Sequence, residues 1–398
     1  MVNYDFLSVY FYSVPNLRFN GYTENWQKYR TIELGQMQRG KSKHRPRDDE
    51  KLYGGAYPFI QTGDIKKANL YIKEYERTYS NYGLSQSKLW SKGTLCITIA
   101  ANIAETAILG LNACFPDSVI GWISNEKITN NIFIKYYFDF YKTQLKRLSV
   151  GGAQENLNLD KLENVYFHIP TLPEQNDITN LLTKIDELIE TQIKIIEEYV
   201  ILKNSLIHRF FTMDNPKVKL STILTEINIK NKNKQIDTVL SVSNKLGFIK
   251  QSEQFEDREV ASDDTSNYKI VNKGDYAYNP ARINVGSIAR LINYDKGIIS
   301  PMYSCFKINE KKITYTYFDM FLSSFSFKRQ LNKKLEGSVR QCLTFEGMLS
   351  MDIELPCIET QKSISNKIDM LNYKIKLESD YREALIKQKQ FLLNNMFI

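Results

Sequence analysis

A segment carried twice constrains this chain more than any other feature. LPEQNDITNLLTKIDELIETQ begins at Leu172, and IETQKSISNKIDMLNYKIKLE begins at Ile358. Gln175 and Gln361 stand 186 residues apart, and the same offset aligns Pro170 with Pro356, Ile178 with Ile364, Leu182 with Ile368, Ile189 with Ile375 and Phe211 with Phe397. The match runs without a gap over some forty residues. A repeat of this kind is one supersecondary unit used twice, and overlooking it misassigns the whole fold.

Both copies predict long helices. Positions 182, 185, 189, 192, 196, 199, 203, 206 and 210 step by three and four and hold Leu182, Ile185, Ile189, Gln192, Ile196, Tyr199, Lys203, Leu206 and Phe210. That is a heptad seam with two polar interruptions. A further apolar row, Leu181, Leu188, Ile195 and Leu202, widens the stripe and calls for more than one partner surface. Pro173 sits in the first turn, where proline is tolerated, and Glu174 and Asp177 suit the positive end of the dipole. The second helix repeats the seam as Ile368, Leu371, Ile375, Glu378, Arg382, Leu385, Lys389, Leu392 and Met396. At 1.5 Å per residue each helix would be about 57 Å long.

The stretches before the helices are of another kind, rich in Tyr, Phe, Ile and Thr and punctuated by Gly, Asn and Pro, as mixed strands and loops are. They also match each other. SKGTLCITIA (91–100) lies over NKGDYAYNPA (272–281) at offset 181, each with a Lys-Gly turn before a strand. GGAQENLNLDKL (151–162) lies over GSVRQCLTFEGM (337–348) at offset 186. The expected order is globule (1–170), helix (171–212), globule (213–355), helix (356–398), an α+β chain with an internal pseudo-repeat. Two such helices most simply pack on each other and separate the globules.

Charge narrows the partners. With 398 residues, a net charge of +8 and a pI near 8.9, the chain suits a polyanion without requiring one. Five dispersed cysteines with no CxxC pair read as reduced thiols. The early FLSVYFYSV is too short and too aromatic for a membrane span, so the expectation is a soluble cytoplasmic protein with no membrane partner.

The densest charge run is QMQRGKSKHRPRDDEK (36–51), with Arg39, Lys41, Lys43, Arg45 and Arg47 and no acid among them. Gly40 and Pro46 exclude a regular helix. Such a run is either a solvated loop or a phosphate-binding one, and the interleaved Gln38 could meet a base edge. Gln61 and Thr62 in FIQTGD are further possible readers. In the second globule YAYNPARINVGSIAR (276–290) offers Asn279, Arg282, Asn284 and Arg290 in a strand-turn-strand setting, although Asn279-Pro280 is equally a plain turn.

Catalysis finds little footing. Asn279-Pro280 begins like the Asn-Pro-Pro-aromatic motif of adenine methyltransferases, but Ala281 and Arg282 follow. A glycine-rich nucleotide loop is missing. Pro116-Asp117 lacks a nuclease partner set, and His44, His168 and His208 are too scattered for a metal. The expected chain is not an enzyme and carries no catalytic, metal or cofactor residues.

The P-x-L-P-E-Q-x-x-I run at 170–178 with its helix, and its copy P-x-I-E-T-Q-x-x-I at 356–364, resemble the specificity (S) subunits of type I restriction-modification systems. GGAQ-x-NLN at 151–158 and V-P-x-L-R-F at 14–19 with Trp26 fit the same family. Thr360 departs from the expected Glu, and the second copy lacks the V-P-x-L-R-F lead-in. The resemblance implies two target-recognition domains that each read half of a bipartite DNA site. It implies an antiparallel coiled coil as ruler between them, docking two methylation (M) subunits through Leu182, Ile185, Ile189, Ile196, Ile368, Leu371 and Ile375. Restriction (R) subunits would join, and S-adenosylmethionine, ATP and Mg would be bound by the partners. A stand-alone methyltransferase or nuclease, and a coiled-coil adaptor without DNA binding, are the rival readings.

Overall fold

The computed structural model describes residues 14–149, 157, 159–212, 215–244, 246–254, 264–335 and 341–398. Contacts divide the chain into two compact units, residues 1–195 with 378–398, and residues 196–377. Both divisions fall within long helices, Leu172–Phe210 and Ile358–Met396. Each helix therefore begins in one unit and ends in the other.

The first unit is built on a five-stranded sheet in the order Gly35–Arg39, Val119–Ser124, Leu95–Thr98, Thr106–Leu109, Tyr71–Ile72. All pairs are antiparallel except the last, which is parallel. Leu95–Thr98 is buried throughout. Successive strand side chains point to opposite faces, and here Leu95 and Ile97 join one core while Cys96 joins another. A strand covered on both faces reads as a continuous apolar run. One core is completed by Phe133, Tyr137 and Phe138 of the helix Asn131–Ser149.

In the second unit an antiparallel sheet runs Leu224–Ile227, Ser304–Ile308, Tyr276–Tyr278, Ile288–Arg290. This is the order of the first four strands of the first unit, so the loose sequence match corresponds to one topology used twice. The Lys-Gly turns coincide too. Gly93 and Gly274 have φ of +90° and +95°, where an L side chain is strained, and donate to Leu109 O and Leu291 O, both at 2.8 Å. A second four-stranded sheet, Gly247–Lys250, Val239–Ser243, Lys296–Ile299, Lys269–Asn272, has its own core of Leu240, Val242, Phe248 and Val271.

A short antiparallel ladder precedes each long helix, Gln27–Arg30 with Tyr166–Ile169 and Lys217–Lys219 with Asp352–Glu354. The chain then turns into the helix around a fully buried glutamine. Gln175 Nε2 donates to Pro170 O at 2.9 Å and Ile128 O at 2.8 Å, and its Oε1 accepts from Thr129 Oγ1. Gln361 Nε2 donates to Pro356 O at 2.9 Å and Lys312 O at 2.9 Å, and its Oε1 accepts from the Thr314 backbone N–H. Each amide thus ties the loop before a helix to that helix's first turn.

The far ends are anchored by the aligned phenylalanines. Phe211 packs on Tyr317 and Phe321 in the second unit, and Phe397 packs on Trp26, Phe133 and Tyr137 in the first. Within the first unit the two helices run antiparallel. Lys389 pairs with Asp186, and earlier along its helix Glu378 accepts from Gln192, which lies later along the other. Leu182, Ile185 and Ile189 are buried there with Leu385 and Leu392. In the second unit Ile207 and Ile368 are buried, Leu206 and Leu371 partly so, and Lys203 reaches Asn372 at 3.2 Å. Ile196 and Ile375 are half-buried. Of the outer row, Leu188 and Leu202 stay exposed, as do Met370, Tyr373 and Phe391 of the other helix.

Two departures noted in the second copy have one cause. Glu174 accepts from Arg18 Nε at 2.7 Å and from Trp26 Nε1 at 3.3 Å. The residue aligned with Glu174 is Thr360, in the copy that lacks the V-P-x-L-R-F lead-in. A buried carboxylate without its cation is costly, so acid and lead-in are absent together. The GGAQ-x-NLN stretch lies outside the described residues except for Leu157, which is buried.

Candidate nucleic-acid interface

The basic run leaves the sheet at Arg39 and turns at Gly40. A Cβ on Gly40 would stand 2.3 Å from Pro116 O and 2.4 Å from Phe115 O, so only glycine lets the chain pass so close. That approach sets the following loop beside residues 116–118. Ser87 Oγ donates to Lys41 O at 2.8 Å, and Lys43 N–H to Gln86 O at 3.1 Å. His44 bridges Asp49 at 2.8 Å and the Tyr82 hydroxyl at 3.1 Å. Arg45 Nη1 donates to Ser42 O and His44 O at 2.6 and 2.8 Å. The loop is organised by these bonds rather than freely solvated.

Its five cations separate into two kinds. Arg47 forks onto Asp117 at 2.9 Å to each oxygen, and Arg45 lies 3.8 Å from the same carboxylate. Asp117 is thus a counter-charge supplied from 70 positions away in sequence. Arg39, Lys41 and Lys43 are exposed, and their side chains make no hydrogen bond or ion pair among the described residues.

Gln38 is exposed at the strand end and accepts from Lys88 Nζ at 2.5 Å. Lys88 also lies 3.7 Å from the Trp90 ring centroid. Burial, and then the neighbouring charge of Lys41, lower the Lys88 pKa below the usual lysine value. Gln61 precedes the short helix Thr62–Lys67, and Asp64 reaches back to its N–H at 2.8 Å. Gln61 and Thr62 line a cleft of about 330 Å³ with Ser42, Arg47, Tyr53 and Arg77. Lys88 and Arg77 were not singled out from the sequence. Arg77 stands between Glu76 and Thr78 and Lys88 between Ser87 and Leu89, both outside the basic run, and only the fold brings them to the loop.

The four residues noted in the second unit also separate. Tyr276–Tyr278 and Ile288–Arg290 form a hairpin with Tyr276 opposite Arg290. Asn279 is buried, and its Oδ1 accepts from Ala281 N–H at 3.0 Å, closing the turn. Arg290 pairs with Asp319 at 2.8 Å and lies over the Tyr315 ring at 4.9 Å, committing its guanidinium inside the unit. Arg282 and Asn284 are exposed at the tip of the connection.

Among the described residues no group of three or more His, Cys, Asp and Glu could hold a metal ion, and no helix is long and apolar enough to cross a membrane.

The chain is similar to several known proteins. Residues 23–198 match the family described as the type I restriction modification DNA specificity domain. The chain is 26% identical over 192 residues to a putative type I restriction enzyme MjaX specificity subunit from Methanocaldococcus jannaschii, an alignment covering 48% of this chain and 43% of that protein. It is 21% identical to the MjaVIII specificity subunit from the same organism, over 93% of this chain and 92% of the relative. In fold it is similar to the S subunit of a type I restriction-modification system from M. genitalium, with a TM-score of 0.58, 14% identity, and 97% and 99% of the two chains covered. A chain from a study of complex assembly in the type I R-M system gives the same TM-score at 13% identity, covering 93% of this chain and 96% of the other. Over residues 23–198 the chain is thus similar to a type I restriction-modification specificity domain, and the relatives it resembles, one of them along nearly its whole length, are named as specificity subunits.

Proposed function

We propose that this chain reads a bipartite DNA site, each unit taking one half, and that it directs adenine methylation or cleavage by subunits bound to it. The observation that carries the reading is the duplication at the helix starts. Gln175 and Gln361 make the same bonds to the proline five residues before them. Each unit also carries a sheet of one shared strand order. A duplicated reader suits a divided target.

In the first unit Arg39, Lys41 and Lys43 supply charge for the DNA backbone, while Gln38, Gln61 and Thr62 lie within the same surface. In the second, Arg282 and Asn284 are the exposed readers. The helix faces left open at Leu188, Leu202, Met370 and Tyr373 dock two methylation subunits. Those subunits bring S-adenosylmethionine, and restriction subunits bring ATP and Mg, so the chemistry resides in the partners and the assembly works in the cytoplasm.

Module exchange tests the reading. With the cognate M subunit co-expressed, replacing residues 213–355 by the equivalent stretch of another S subunit should change one half of the methylated motif and preserve the other. Changes in both halves would refute independent readout.

A further inference from the structure

We propose that Arg77 is a specificity-determining residue that reads a guanine edge in the half-site taken by the first unit. The inference rests on the DNA-reading function above and deepens it. Arg77 opens the strand Arg77–Tyr79, which pairs with Tyr53–Phe59. Its guanidinium carbon lies 5.0 Å from the Tyr53 ring centroid. Tyr53 is itself fixed, its hydroxyl donating to Arg47 O at 2.6 Å and its ring packed by Phe59 and Tyr79 at 6.1 and 5.4 Å. Those two rings stack on each other at 4.0 Å.

Arg77 is exposed, and its guanidinium makes no hydrogen bond or ion pair among the described residues. It contrasts with Arg45 and Arg47, which spend donors on Asp117 and on backbone carbonyls. A planar fork of donors is thus held against a ring at the mouth of a cleft, with every donor unused. Ser42, Gln61 and Thr62 line the same cleft.

A donor-only fork needs two acceptors side by side. Guanine offers O6 and N7 on its major-groove edge, whereas adenine sets an amino group beside N7 and thymine offers a single acceptor. A phosphate also accepts a fork, but it needs only charge. Arg39, Lys41 and Lys43 already present charge without a stacking ring among the described residues. Fixing the guanidinium plane beforehand favours a partner whose own plane is fixed, because less freedom is lost per hydrogen bond formed.

The test uses the full S–M complex with Arg77→Ala and Arg77→Lys, reading the methylated motif across a genome and the salt dependence of binding. Lysine keeps the charge and loses the fork, so it separates the two acceptors. The expected result is that both variants keep the second half-site and the gap. Both should lose preference for G at one position of the first half, by roughly 10- to 100-fold. Tyr53→Leu should weaken that preference less. An unchanged motif with weaker binding that lysine restores would make Arg77 a phosphate contact and overturn the proposal. A wild-type first half without a G·C pair would overturn it as well, leaving the DNA-reading function intact. A wild-type complex with no motif at all would remove that function, and the guanine assignment with it.

Discussion

Lys389 Nζ lies 2.7 Å from Asp186 Oδ1, with the carboxylate 2% exposed and the ammonium 14% exposed, so the two long helices meet in the first unit through a buried ion pair. Tyr136 donates to the other carboxylate oxygen at 2.8 Å. Burial, and next the charge of Lys135, lower the Lys389 pKa, and Asp186 opposes them. Removing one member of such a pair strands a charge. Lys389→Met should therefore destabilise the first unit by about 3–5 kcal/mol, and a matching Asp186→Leu should recover much of that loss. Urea unfolding of the single and double variants measures both, and a single variant as stable as wild type would show that the pair contributes nothing.

The buried glutamines give a second prediction. Gln175→Ala and Gln361→Ala each leave two backbone carbonyls and one donor without a partner. Each should cost about 1–3 kcal/mol or somewhat more, because unpaired buried polar groups carry their full desolvation penalty. Their equivalent bonding predicts similar losses, which denaturant titration would resolve. A large loss from one and none from the other would contradict the equivalence.

The basic loop yields a salt-dependence prediction. Converting Arg39, Lys41 and Lys43 together to Gln should reduce the log–log salt slope of DNA binding by about 0.9 for each phosphate no longer neutralised. Arg47→Gln should reduce it less, since Asp117 already takes its fork. Equal effects from all four cations would show that the Asp117 pairing opens when DNA binds.

Arg290 is expected to act on stability rather than recognition. The Asp319 carboxyl is pushed above the usual aspartate range by burial, and the Tyr276 hydrogen bond and Arg290 hold it down. Arg290→Met removes one restraint, so the carboxyl should rise further. A raised carboxyl pKa contributes stability below the unfolded value of about 3.9 that is lost as pH climbs through the folded value. The variant should thus be less stable than wild type at pH 7, with the gap closing as pH falls toward about 4. Its methylated motif should be unchanged, and altered specificity would return Arg290 to the reading surface.

Helix length offers the last prediction. Four-residue insertions after both Thr191 and Ser379 each add about 6 Å and nearly one full turn. The Asp186–Lys389 and Lys203–Asn372 pairs then keep their partners. The expected methylome has a longer unspecified gap between two unaltered half-sites. The original gap at full occupancy would show that the helices do not set the spacing.

What the sequence determined is what repeats locally. A heptad seam, a proline and glutamine at a helix start, and a Lys-Gly turn before a strand are all specified by neighbours a few residues away. The helices Leu172–Phe210 and Ile358–Met396, and the buried seam positions Leu182, Ile185, Ile189, Ile368, Leu385, Leu392 and Met396, could be read from periodicity for that reason. Tertiary structure decided which charges remain free. Asp117 reaches Arg47 from 70 positions away, Asp319 takes Arg290, and Lys88 arrives beside Gln38 from 50 positions away. Asn279 became a turn because its side chain met a nearby backbone N–H, and Arg77 became a presented fork because Tyr53 lay beneath it. An electrostatic partner is fixed by distance in space, which no local pattern encodes, so the candidate surface emerged only from the fold.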